Sequence, residues 1–224
     1  MKHPLYSCVR TGMRGIFLLA FLIILASCDN SENNPVAKVD LIFQLQYDGE
    51  PLAGPNEVYE LNDSVELQFS KVSFYLSDFK LSDGSQTYPL WDVLHISFLQ
   101  DINGDALPET QQKLTFEIPS GNYESLSFGL GLHPTLNNTT PSEHEVGSAL
   151  SFSSEYWPAW QSYIFEKIEG AYKVNGGQLQ SVALHVGGDD TYRVLEWSSG
   201  LSIDDGEVKV INIPIDLKHI LDGY

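Results

Sequence analysis

VELQFSKVSFYLSDFKL, residues 65–81, decides the fold class. Apolar residues alternate with polar ones, as in Val65, Leu67 and Phe69, and this period of two belongs to a half-buried β-strand. The stretch ends in Ser82-Asp83-Gly84-Ser85, a turn composition. The same alternation recurs in KVDLIFQLQY (38–47), YPLWDVLHISFL (88–99), KLTFEI (113–118) and ESLSFGLGL (124–132). It continues in YIFEKIEGAYKV (163–174), QLQSVALHV (178–186), TYRVLEW (191–197) and EVKVINIPI (207–215). Val, Ile, Phe, Tyr and Thr dominate these runs, and Gly, Pro, Asn and Asp bound them. About nine strands at this spacing, with no long segment of period 3.6, predict an all-β domain: a single immunoglobulin-like antiparallel β-sandwich. A short helix within 141–156 and a helical turn in DLKHILDG are the expected exceptions.

The start of the chain reads as an address. Arg14 precedes an apolar run, Ile16–Ala26, which is too short to span a bilayer and suits the h-region of a signal peptide. The run ends in Leu25-Ala26-Ser27-Cys28, which resembles the lipobox of bacterial lipoproteins and implies cleavage before Cys28 and lipidation of its thiol. The expected organisation is a signal peptide over 1–27, a lipidated Cys28 with a flexible tether to residue 38, and one sandwich domain over 39–224. The expected location is the bacterial cell envelope, lipid-anchored, facing the periplasm or the cell surface.

Processing at Cys28 removes Cys8, both methionines, Lys2, Arg10 and Arg14. The remaining chain has no free thiol, disulfide or thioether, which excludes disulfide scaffolds, Cys-ligated zinc, haem attachment and Met-rich copper sites. Of the 12 basic residues nine remain against 30 acidic ones, a net charge of −21. Such a surface repels nucleic acid and suits a soluble body on a tether or one that attracts cations. No nucleophile elbow, phosphate loop, dinucleotide fingerprint or zincin motif is present, so the residue chemistry points to a binding or structural domain and not to an enzyme.

Four pieces in order carry a family resemblance. They are KVSFYLSDFKLSDG (71–84), IPSGNYESLSFGLGLHPTLN (118–137), YWPAWQSYIFEKIEG (156–170) and LHVGGDD (184–190). Together they resemble the MbnP family of periplasmic copper-binding proteins. The resemblance implies a β-sandwich, copper as the metal, and association with a di-haem MauG-like enzyme that oxidises a tryptophan to kynurenine, the altered residue joining two histidines at copper. Without sulfur ligands, copper must be held chiefly by imidazole. His185, at the end of a strand meeting Gly187-Gly188, is the first copper candidate; His95 is the second and His133 the third. His185 and His95 both sit in segments that read as interior strands, whereas His144 and His219 read as loop or surface residues.

The tryptophans divide. Trp157 and Trp160 match framework positions of the family and are expected to pack the sandwich, with a redox role, as modified residues, or a site-lining role as the alternative. Trp91 is a candidate for modification, but His95 follows it by four residues where copper-bound members have a histidine after two. Four strand residues span about 13 Å, too far for two ligands of one metal without a bulge.

A separate stretch, DINGDALPE, sets Asp101, Asn103, Asp105 and Glu109 at its first, third, fifth and ninth positions, similar to a calcium loop. Ala106 stands where such loops usually carry glycine. Two other readings fit the same sequence. One is a structural or adhesive surface module with a calcium-stiffened loop; the other is a sugar-binding sandwich using Trp157 and Trp160 as stacking platforms, which requires both rings to be exposed on one face.

Overall fold

The structure, a computed structural model, describes residues 36–55, 57–99 and 110–222. The signal segment, Cys28 and the calcium-like stretch 101–109 lie outside the described residues.

The described residues form an all-β sandwich of two sheets. The smaller is built on β1 (Val36–Tyr47). β1 pairs with β6 (Gln111–Pro119) antiparallel and with β12 (Val208–Asp216) parallel, and its end turns into the two-residue β2 (Glu50–Pro51). The parallel pair departs from the all-antiparallel expectation, since alternation specifies a strand's faces but not its direction. β1 also begins before the expected domain start at residue 39: Ala37 is fully buried opposite Ile118.

The larger sheet is organised by β4 (Val65–Ser82). One edge of β4 pairs with β3 (Val58–Asn62) and then β5 (Thr87–Phe98). The other edge pairs with β9 (Ser162–Val174) and then β7 (Gly121–Leu130). β10 (Gln180–Gly187) extends the sheet beyond β9, and β11 (Arg193–Ile203) extends it beyond β7.

The sequence of β4 shows how one strand serves this sheet. Its core-facing residues are Leu67 and Phe69, then Val72, Phe74 and Leu76, then Phe79 and Leu81, all buried. The odd-even phase slips twice, and each slip coincides with a register shift, between Phe69 and Lys71 and between Ser77 and Lys80. One residue is added at each bulge, which returns the next apolar side chain to the core face. Asp78 occupies the second bulge with φ of 55°. Gly170 of β9 faces the first: a Cβ there would lie 1.9 Å from the carbonyl oxygen of Gln68, so only glycine lets the strands meet.

The main core lies between the sheets. Val39, Leu41, Phe43 and Leu45 of β1 face the buried residues of β4 and β7, with Phe43 edge-on to Phe128 at 6.0 Å. A second, smaller core lies on the opposite face of the larger sheet, where Tyr75, Tyr163 and Phe165 meet Leu132 and Leu150. It is covered by residues 131–161, which carry α1 (Pro134–Asn137), three turns of 3-10 helix and the two-residue β8 (Tyr156–Trp157). The covering segment is fastened by phenols: Tyr75 Oη donates to the Ala149 carbonyl and Tyr163 Oη to the Leu150 carbonyl, each at 2.8 Å. Gly131 starts the segment at φ of 93°, against the ring of Phe165, where a Cβ would clash. α2 (Leu217–Leu221) follows β12, with the Asp216 side chain capping its first turn.

Candidate functional site

The covered face of the larger sheet carries most of the chemistry-bearing side chains. β-Strand alternation puts Lys71, Ser73 and Tyr75 of β4, His95 and Ser97 of β5, Lys167 and Glu169 of β9 and His185 of β10 on this side. In register, His185 lies opposite Lys167, Lys167 opposite Ser73, and Ser73 opposite Ser97.

His185 sits on β10, which pairs with β9 alone among the described residues and is therefore an edge strand, not the interior strand expected. Its Nε2 lies 2.8 Å from Glu169 Oε1. Trp157 stands edge-on to the imidazole, ring centroids 6.1 Å apart. Trp160 stacks on Trp157 at 4.2 Å and 12°. The local sequence makes that stack: Pro158 follows Trp157 in a turn closed by Trp160 N–H donating to the Trp157 carbonyl at 3.1 Å. The turn folds one indole back over the other. Both rings are exposed, Trp157 by 37% and Trp160 by 55%. The expectation that they pack the core is overturned, because a tight turn directs them onto each other and past the edge of the sheet.

His95 is buried and has different neighbours. It packs on Tyr75 at 4.9 Å and on Phe152 at 5.6 Å. Among the described residues its strand also pairs on one side only, with β4, and it is closed over by the covering segment. Nε2 has no hydrogen-bond partner and lies 3.8 Å from Glu155 Oε2. Lys167 Nζ lies 2.7 Å from the same carboxylate and Lys71 Nζ 3.2 Å from its other oxygen. Burial pushes the His95 pKa down to about 4, Glu155 opposes that, and the two ammonium groups add to it. Burial also works to raise the Glu155 carboxyl, but Lys167, His95 and Lys71 outweigh it and hold it below its ordinary value.

His133 caps α1, its Nδ1 accepting from Thr135 N–H at 3.3 Å, and its ring is edge-on to Tyr192 at 6.0 Å. His144 lies against Thr139 Oγ1, 2.7 Å from Nε2. Trp91 is 51% exposed, donates from Nε1 to the Val93 carbonyl and rests edge-on against Phe116.

The three copper candidates are not brought together. His95 and His185 are separated by three strand spacings, roughly 14 Å. No group of three His, Cys, Asp or Glu side chains among the described residues could hold a metal ion. His95 faces two ammonium groups, which repel a cation. His185 and Glu169 are the pair that fits one: an imidazole nitrogen and a carboxylate oxygen, donors suited to copper(II), reachable from solvent at a sheet edge. Trp157 borders that pair, although an intact indole N–H has no lone pair to offer.

Glu155, Glu169, Lys71 and Lys167 belong to these clusters and are not among the sequence candidates. The available signal was FEKIEG, in which Lys167 and Glu169 share one strand face. It also explains the motif: Lys167 holds the covering segment, Glu169 holds His185, and Gly170 admits β4.

The family model described as MbnP matches residues 36–224. Among solved structures, MbnP from Methylosinus trichosporium is similar, with 18% identity and a TM-score of 0.47 over 67% of this chain and 62% of that chain. This chain thus spans less than two thirds of that protein's length. No curated protein matches the sequence. The match over residues 36–224 takes in both sheets and the covering segment, and on it the chain belongs to the MbnP family.

Proposed function

We propose that this is a non-enzymatic, lipid-anchored copper-binding protein of the bacterial cell envelope, held to the membrane through Cys28 and binding copper at His185 and Glu169. Family membership supports the copper-related role. The observation that carries the site is the 2.8 Å approach of His185 Nε2 to Glu169 Oε1 beside Trp157. Copper, when bound, supplies a redox-active Lewis-acidic centre. His185 Nε2 and Glu169 Oε1 would be the nitrogen and anionic oxygen donors, and Trp157 walls the site on one side. Trp157 is then the indole available to a di-haem MauG-like partner. Calcium at Asp101, Asn103, Asp105 and Glu109 is a separate, structural role.

The test is metal content and peptide mass on protein from its native host. Copper near one equivalent, membrane partition that depends on Cys28, and loss of copper in His185→Ala are the expected results. Native protein without copper and with four unmodified tryptophans overturns the proposal.

One observation favours a second reading, sugar binding: Trp157 and Trp160 are both exposed on one side of the molecule. Each covers one face of the other, so the platform they offer is a single indole face. Metal-independent oligosaccharide binding lost in Trp160→Ala would establish it in place of copper.

A further inference from the structure

Between Phe74 and Leu76 the edge of β4 changes partner. Phe74 pairs with Glu166 of β9, and Leu76 pairs with Leu130 of β7. Beyond this point β9 and β7 diverge, and the sheet forks. β10 and β11 follow the two prongs, and the turn at Asp189–Thr191 links them. A cavity of about 290 Å³ fills the fork, lined by Leu130, Phe165, Glu166, Val186, Thr191 and Arg193.

Two side chains of this cavity keep hydrogen-bonding capacity that the described residues do not satisfy. Glu166 is 6% exposed, and its Oε1 is buried without a hydrogen-bond partner among the described residues. Burying a carboxyl oxygen unpaired is costly, and native proteins seldom retain one without a function or a bound molecule to satisfy it. Arg193 has Nη1 fastened to the Asp190 and Tyr192 carbonyls at 2.6 and 2.8 Å, which aims the guanidinium. No carboxylate of the described residues pairs with it. Its remaining N–H donors form a fork suited to a carboxylate. Apart from Thr191, whose hydroxyl donates to the Gly188 carbonyl, the rest of the lining is apolar: Leu130, Phe165 and Val186.

We propose that the fork of the larger sheet binds a free α-amino acid with a small apolar side chain. The ligand's ammonium meets Glu166, its carboxylate meets Arg193, and its side chain lies on Leu130, Phe165 and Val186. A simple cation would face the guanidinium unpaired, and a simple anion would face the carboxyl; a zwitterion satisfies both. The volume lies at the lower end of ligand pockets and suits a molecule of this size. The site is separate from His185 and does not depend on copper.

Thermal shift and calorimetry with L-valine and L-leucine test it, with 3-methylbutylamine and 4-methylpentanoate as probes lacking one charge each. The amino acids raise the melting temperature, since they bind the folded state only; the single-charge probes do not. Glu166→Gln keeps the shape and weakens amino-acid binding by roughly tenfold or more, and so does Arg193→Met at the accessible rim, with the melting temperature of each ligand-free variant as the control for folding. No stabilisation by either amino acid at millimolar concentration overturns the proposal and leaves the cavity to water. An equal effect of the amine alone, or undiminished binding in both variants, overturns it as well.

Discussion

Lys167 Nζ lies 2.7 Å from Glu155 Oε2, and both side chains are sealed from solvent. Lys167 also donates to the Ser154 carbonyl at 2.9 Å, and Lys71 completes the clamp on Glu155. The covering segment is thus tied to β9 and β4 by charge as well as by the Tyr75 and Tyr163 phenols. Removing one partner of a buried pair strands the other. Glu155→Gln is expected to lower unfolding free energy by about 3–5 kcal/mol in urea titrations. Lys71→Met, at the more exposed end, is expected to cost about 1 kcal/mol. A Glu155→Gln loss smaller than that of Lys71→Met would show that the phenols and the apolar contacts hold the segment unaided.

His95 makes the fold sensitive to acid. Burial carries its pKa to about 4 from an ordinary 6.5. Between those values the unfolded chain takes up a proton that the folded chain refuses. Stability from this residue is complete above pH 6.5 and is lost as pH falls toward 4. Between pH 7 and pH 5 the loss is about 2 kcal/mol. His95→Gln should flatten the pH dependence over that interval by that amount, measured by urea unfolding at both pH values. An unchanged slope would place the protonated imidazole in a favourable setting that its two lysine neighbours do not provide.

Glu166 has the opposite sign. Burial raises its pKa from 4.5 to about 7. From pH 4.5 upward the unfolded chain gives up a proton that the folded chain retains, so stability falls until about pH 7 and is then level. Glu166→Gln removes the buried acid. Its stability relative to the parent should rise by on the order of 2 kcal/mol between pH 5 and pH 8, in the absence of amino acids. A constant difference across that range would mean that the carboxyl is ionised and satisfied throughout.

All nine strands expected from alternation are present, because burial on one face imposes period two wherever a strand is long enough to show it. β2 and β8 have two residues each and cannot express a period, and β3 (Val58–Asn62), which buries none of its residues fully, is an addition to the nine. The two bulges of β4 are visible in its sequence as phase slips, from Phe69 to Val72 and from Leu76 to Phe79. The parallel pairing of β1 with β12 is not visible, since it joins segments that are distant in the chain and leaves the facial pattern unchanged. The candidate site was legible only in part. His185 was found, but Glu169 is sixteen residues away and meets it through the β9–β10 register. His95 was read as a ligand, and the lysines that oppose that role come from two other strands. The match to family framework positions places Trp157 and Trp160 in the core, and the Trp-Pro-Ala-Trp turn outweighs it.

The copper site makes the sharpest contrast among the histidines. His185 is accessible, carboxylate-paired and bordered by Trp157. His95 is enclosed with two ammonium groups, and His133 is committed to capping α1. His185→Ala is therefore expected to remove most copper(II) binding in competition titrations with a chelator. Glu169→Gln, which keeps the hydrogen bond to the imidazole but loses the negative donor, should weaken it by roughly tenfold. His95→Gln, His133→Ala, His144→Ala and His219→Ala should leave it unchanged, and Trp157→Phe should alter the copper absorption spectrum while retaining most affinity. Copper binding that survives His185→Ala and disappears in His95→Gln would move the centre to the buried cluster, and would require Lys71 and Lys167 to withdraw from it.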